Sequence, residues 1–353
     1  MSIMSASARH VHIDALRGLA VLLMVMVHAA ATWSPTVSGN PTLLALVVSG
    51  LGGLAAPLFV ALLGWGLYQR PRPLRQRVRQ AGFLFLCQLV VNLCAPHLFE
   101  PLSPGVLSLM GLLILFEPWW SWPWRRGWNA VQVFGGFAAV VFALTWLAGD
   151  LQGPSSWDAR VETDSALTFF SHLALTGTYP LLPWVMFAGF GMTVAASTRS
   201  PHPQVMWVGF VLSLYFLVQA FRLGQVWARP TGDAMLTFFP ANGPFLIAAL
   251  TGSALLWSLT QRWSLLHRLA DVGRCSLTIY VVHFLPFVWT HRWVETNGWG
   301  LQAAMVATLG YTVLWALLGT LWFSKGERWT LETAWRRFSK SNDEQVSRTN
   351  IVG

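Results

Sequence analysis

The residues of this chain best placed to do chemistry lie inside its first apolar run. From His12 to His28 it reads His-Ile-Asp-Ala-Leu-Arg-Gly-Leu-Ala-Val-Leu-Leu-Met-Val-Met-Val-His. Arg17 and His28 are eleven residues apart. At about 100° per residue that spacing puts both on one helix face, roughly 16 Å apart. Asp14 is one turn before Arg17 and can pair with it. A second stripe follows in Cys275-Ser-Leu-Thr-Ile-Tyr-Val-Val-His283, where Ser276, Tyr280 and His283 share a face at i, i+4, i+7. Ionisable groups within a membrane span are costly and mark functional sites by default. A plainer role stands beside the functional one for each: Arg17 as a topology anchor, His28 and His283 as hydrogen-bonded packing residues. Gln88, Asn92 and Glu117 read as packing or interface residues, as does Gln219, whereas Arg222 at the outer end of its run can meet an anionic or sugar group.

The elements that carry these residues follow from composition. Of 353 residues 54% are apolar and 10% charged, against about 25% charged in a soluble domain. The apolar runs have the length that crosses roughly 30 Å of hydrocarbon. Their backbone must bond within the segment, and they lack the alternation of a transmembrane barrel, so they are helices. We place ten spans at about 13–33, 43–68, 78–96, 104–120, 128–148, 178–197, 204–222, 243–260, 275–292 and 299–323. With this placement nineteen of the twenty-three Lys and Arg residues fall on one side, including the Arg70–Arg79 cluster, Arg274 and everything from Lys325 onward. That side is the cytoplasm. The net charge of +9 is therefore topological, and nucleic acid is not an expected partner. The fold class is all-α, a polytopic bundle of about ten transmembrane helices with both termini cytoplasmic. The first run lacks a signal-peptide layout and is expected to stay as a span. Residues 1–338 form one transmembrane domain, and 339–353 a polar, disordered tail. The connection of about 149–178 is expected to hold a short surface helix at 165–175, and the tryptophans of 119–128 an interfacial belt. Cys87, Cys94 and Cys275 lie in apolar runs and imply neither disulfide nor metal site.

At these residues the chain resembles a known group. Residues 13–28 are similar to the opening span of the transmembrane acyltransferase superfamily, with the Arg and His of acyltransferase type 3 proteins at Arg17 and His28. Gly-Val-Leu-Ser-Leu-Met-Gly-Leu-Leu (105–113), Gly-Thr-Tyr-Pro-Leu-Leu-Pro-Trp-Val (177–185) and Gly-Arg-Cys-Ser-Leu-Thr-Ile-Tyr-Val-Val-His (273–283) resemble the heparan-α-glucosaminide N-acetyltransferase family and its bacterial homologues. The resemblance implies transfer of an acetyl group from cytoplasmic acetyl-CoA to a sugar hydroxyl or amine across the inner membrane. One departure matters: the lysosomal enzymes carry Asn at the place of His28 and a histidine in the loop beyond, whereas 32–41 here has none. The catalytic assignment thus falls on His28, and a heparan-like acceptor is not implied.

Acyl transfer needs a base near neutral pH and a donor for the oxyanion. His28 is the expected base, with His283 or Tyr280 as orienter or oxyanion donor. Arg17, with Asp14 and Arg274, is expected to hold CoA, and Arg222, Tyr179 and Trp184 the acceptor. Direct transfer and an acyl-histidine intermediate both fit. The alternative is a transporter of a small polar solute with His28 as proton relay. A lipid-linked-sugar glycosyltransferase would want acidic residues in the first outer loop, and 32–41 has none. The expected partners are the lipid bilayer and an extracytoplasmic glycan or other small polar acceptor; acceptor identity and oligomeric state, a homo-oligomer included, stay open.

Overall fold

The computed structural model describes residues 10–33, 48, 50–197, 201, 203–298 and 300–339. Most of the first outer loop and nearly all of the polar tail lie outside them. The helices used below are α1 (Val11–Thr32), α2 (Ala55–Gln69), α3 (Leu74–Cys94), α4 (Val106–Leu115), α5 (Ala130–Ala148), α6 (Ala166–Ser171), α7 (Leu181–Ala196), α8 (Pro203–Leu223), α9 (Gly243–Arg262), α10 (Ala270–Arg274), α11 (Ser276–Val282), α12 (Phe287–Asn297), α13 (Leu301–Ser324) and α14 (Leu331–Ser339). Two four-residue strands, β1 (Ala228–Thr231) and β2 (Leu236–Phe239), pair in parallel between α8 and α9. The described residues are those of a helical membrane protein with one small sheet.

Among the described residues six segments are long and apolar enough to cross a bilayer: Val11–Thr32, Gly50–Gln69, Ala130–Gln152, Pro203–Leu223, Gly243–Arg262 and Leu301–Ser324. The pair Ala166–Thr176 and α7, bent by 51°, makes a seventh if counted as one span. The other expected spans differ for identifiable reasons. α3 has the length but opens on Arg75, Arg77 and Arg79. The expected span at 104–120 is a ten-residue helix, α4, followed by single turns at Glu117–Trp120 and Trp122–Arg125. Pro118 and Pro123 lack the N–H that would continue it. The expected span at 275–292 is broken at Cys275 and again over 283–286. A straight helix would press the Pro286 ring onto the carbonyl of residue 282.

The helix bearing Arg17 and His28 is the centre of the bundle: 72% of its most apolar window is buried, against 6% for the windows in α5 and α8. Trp146, Leu147, Phe210 and Phe221 on those two helices are exposed, a disposition that hydrocarbon favours and water penalises. Glycine lets α1 approach its neighbours. A Cβ on Gly18 would overlap the Leu269 carbonyl, and one on Gly273 the Asp14 carbonyl, so α1 and α10 pack backbone to backbone. This contact sets Arg274 beside Asp14.

The connection after α5 folds over one end of the bundle. Arg160 is fully buried and donates to the carbonyls of Thr176, Gly177 and Gln152, each at 3.0 Å. Burial pulls its guanidinium down to about 10, which leaves it charged at neutral pH. Trp157 Nε1 donates to the Leu98 carbonyl at 3.0 Å, and Glu100 accepts the Thr163 amide at 2.6 Å. The segment is thereby tied to the turn that follows α3. The expected helix there is present as α6, continued by a wider turn over His172–Thr176. Gln88 and Asn92 form a buried network reaching Leu107 N and the carbonyls of Pro101 and Ser103. Glu117 pairs with Arg125. Within the tryptophan-rich stretch Trp119, Trp122 and Trp128 are exposed, whereas Trp124 is buried and donates to Thr193 Oγ1 at 2.9 Å.

Candidate active site

The two histidines, separated by 255 residues, meet in the structure: His28 Nδ1 lies 3.0 Å from His283 Nε2. The rings are nearly coplanar, with an interplanar angle of 8° and centroids 5.2 Å apart. This is an edge-to-edge hydrogen bond. α1 delivers His28 from the bundle centre, and His283, still helical at the C-cap of α11 with its amide bonded to the Ile279 carbonyl at 3.0 Å, meets it.

The bonding determines where the protons sit in a neutral pair. His283 Nδ1 is 2.9 Å from the Ile279 carbonyl, and a carbonyl only accepts, so Nδ1 carries the proton. His283 Nε2 is then the acceptor, and the proton of the inter-histidine bond belongs to His28 Nδ1. His28 Nε2 is left with its lone pair and, among the described residues, no hydrogen-bond partner. His28 keeps 9% of its surface while His283 has none, so the open imidazole is the one with the free lone pair. The arrangement has the logic of an oriented base, in which one nitrogen is anchored so that the other can take a proton.

Phe284 packs on both rings, at 4.5 Å from His28 and 4.2 Å from His283. Tyr280 stands edge-on to each at 6.1 and 6.0 Å, and its hydroxyl has no hydrogen-bond partner among the described residues. The helix break frees the His283 carbonyl, and Tyr311 of α13 donates to it at 2.6 Å. Tyr179 stands edge-on to Phe238 and Phe239 at 6.1 and 5.5 Å. Trp184 sits behind Tyr179 at 4.9 Å, fully buried among Phe187, Phe238 and Phe245. Arg222 is exposed near the end of α8, and no contact joins it to the histidine pair.

At the other end of the α1 stripe, Asp14 is buried between two guanidiniums. Arg17 donates to it at 3.2 Å, and Arg274 Nε lies 3.7 Å away. Arg274 also faces Asp271 at 3.7 Å and covers the Phe323 ring at 4.7 Å. Neither of these two carboxylate approaches is a hydrogen bond, and Arg274 Nε is buried without one. The Arg17 side chain is 37% exposed. The pair can therefore turn donors toward an anion while Asp14 holds their spacing.

Sequence reasoning missed several groups that complete the site. The Ile279 carbonyl, Phe284 and Tyr311 carry no sequence signal, since their roles arise from a helix break and from packing. His97 and His291 are a further pair, stacked at 3.9 Å. His97 also reaches Thr32 Oγ1 at 3.2 Å, one helical turn beyond His28. Burial first, and then His291, hold His97 down to about 4 from its ordinary 6.5. A folded-state value below the unfolded one favours the neutral ring, so its stabilising contribution is complete above pH 6.5 and is lost as pH falls through about 4. The melting temperature of His97→Phe relative to the wild type is expected to rise as pH is lowered across that window. A difference independent of pH would show that His97 does not titrate there.

No curated protein matches the chain. A family model does: the acyltransferase domain of the acyltransferase 3 family aligns with residues 10–323, from the start of α1 to the end of α13. The chain belongs to the acyltransferase 3 family.

Proposed function

We propose that this membrane acyltransferase takes an acyl group, acetyl in the first instance, from cytoplasmic acyl-CoA and delivers it to a hydroxyl or amine of an extracytoplasmic acceptor, with a carbohydrate as the expected class. The observation that carries the reading is the anchored histidine pair, which presents an unprotonated Nε2 on His28. In direct transfer the acceptor's O–H or N–H proton passes to that nitrogen as its heteroatom attacks the thioester carbon. Tyr280 donates to the oxyanion. The C–S bond then breaks and the CoA sulfur takes the proton from His28. In an acyl-His28 route the same lone pair attacks the thioester carbon, the C–S bond breaks and CoA leaves as the thiolate; the acceptor then attacks the acyl carbon, the C–N bond breaks, and the acceptor's proton passes to the freed Nε2 and on to the thiolate.

Arg17 and Arg274 would hold phosphate groups of CoA, with Asp14 spacing them, and the pantetheine arm would run along the α1 stripe toward His28. Tyr179, backed by Trp184, would face the acceptor; Arg222 stands apart and would act only on a large one. In this reading the six long helices, the bent pair, α3, α4 and the broken α10–α12 segment make ten passages of the inner membrane, and both termini are cytoplasmic.

Turnover of acetyl-CoA by the purified protein in detergent tests the proposal, since a transporter with His28 as relay would release no free CoA. Arg17→Ala and Arg274→Ala are each expected to raise the KM for acetyl-CoA about tenfold, the loss of one charge-assisted phosphate contact, with kcat little changed. An unchanged KM in both would return these residues to the role of topology anchors.

A further inference from the structure

The helix that carries Tyr280, with His283 as its C-cap, has only seven residues and is interrupted at both ends, so its position is not inherited from a longer rod. Its far end is held by His28 and by Tyr311. Its near end is held by a residue 55 positions further along the chain. Glu332, in α14, accepts the Leu277 amide at 2.6 Å and the Thr278 hydroxyl at 2.7 Å. The Thr278 amide approaches the same carboxylate at 3.4 Å. In return the Thr278 hydroxyl accepts the Leu331 amide at 2.8 Å. The opening N–H groups of α11, which no intrahelical carbonyl can reach, are thus tied to the first turn of α14. α14 is itself seated by its apolar face: Leu331, Trp335 and Phe338 follow i, i+4, i+7, and Trp335 and Phe338 meet Phe83 of α3 at 5.7 and 6.2 Å. Arg336 and Arg337 point away, exposed.

We infer that Glu332 is a positioning residue for the His28–His283 pair, and that the C-terminal helix α14 is the latch that holds the catalytic helix in register. The inference rests on the acyltransferase reading above. A shift at the start of α11 would lengthen the 3.0 Å inter-histidine bond, because seven residues leave no slack to absorb it. Acetyl-CoA binding, at Arg17 and Arg274, is served by other contacts.

The test is acetyl-CoA turnover by the full-length protein in detergent, read as free CoA released, alongside melting temperature. Glu332→Gln is expected to lower kcat about tenfold, with KM for acetyl-CoA within about twofold of wild type, and Glu332→Asp to recover part of the loss. If Glu332 acts through His283, adding Glu332→Gln to His283→Ala is expected to change nothing further. Should Glu332→Gln fail to purify, Thr278→Val removes the two hydroxyl bonds and is read the same way. A wild-type kcat in a folded variant, or an undiminished tenfold loss on the His283→Ala background, overturns the latch while leaving the acyltransferase reading intact. A wild type that turns over acetyl-CoA no faster than His28→Ala overturns the functional reading first, and the latch with it.

Discussion

His28→Ala is expected to reduce acyl transfer by about 10² to 10⁴, the range that a positioned general base contributes. Acetyl-CoA affinity should hold, because Arg17 and Arg274 lie at the other end of α1. The protein should still purify as a monodisperse species. The substitution leaves a cavity beside Phe284 and Tyr280, and α1 is otherwise packed along its length by apolar residues. Turnover and equilibrium binding of acetyl-CoA on the same preparation check this. A residual rate within about threefold of wild type would remove His28 from the chemistry, and a parallel loss of binding would place it in the donor site instead.

His283 is expected to matter nearly as much without touching the substrate. Its truncation to Ala removes the acceptor of the His28 Nδ1 proton and frees the ring to flip or change tautomer. The expected cost is about 2.7–4 kcal/mol of barrier, or 10² to 10³ in rate. His283→Gln keeps an acceptor oxygen within reach of His28 and should recover part of that rate. The pair should also be non-additive, so that His28→Ala combined with His283→Ala is no slower than His28→Ala alone. A nearly silent His283→Ala would mean that the inter-histidine bond serves packing only.

Much of the architecture is legible in the chain itself because the bilayer is a demanding solvent. Apolar run lengths and the placement of arginines point to a helical membrane protein, and α1, α5, α8, α9 and α13 lie close to their expected places. Expectation departs from structure where proline acts inside an apolar stretch. Pro118, Pro123 and Pro286 end or break helices that hydropathy alone continues. Hydropathy counts transfer free energy per residue and takes no account of a missing N–H or a ring clash.

The site divides in the same way. The 3.6-residue period by itself put Arg17 with His28 on one face, and Tyr280 with His283 on another, since spacing along one helix is a local property. That the two faces meet was decided by tertiary structure. Gly18 and Gly273 bring α1 and α10 into backbone contact, and α11, which follows α10 after one residue, presents His283 at its end to His28. The proton assignment depends on the Ile279 carbonyl, and the anchoring of the start of α11 on Glu332, 49 residues beyond His283. Such couplings leave no pattern along the chain, because a hydrogen bond between distant segments constrains only the geometry at its two ends.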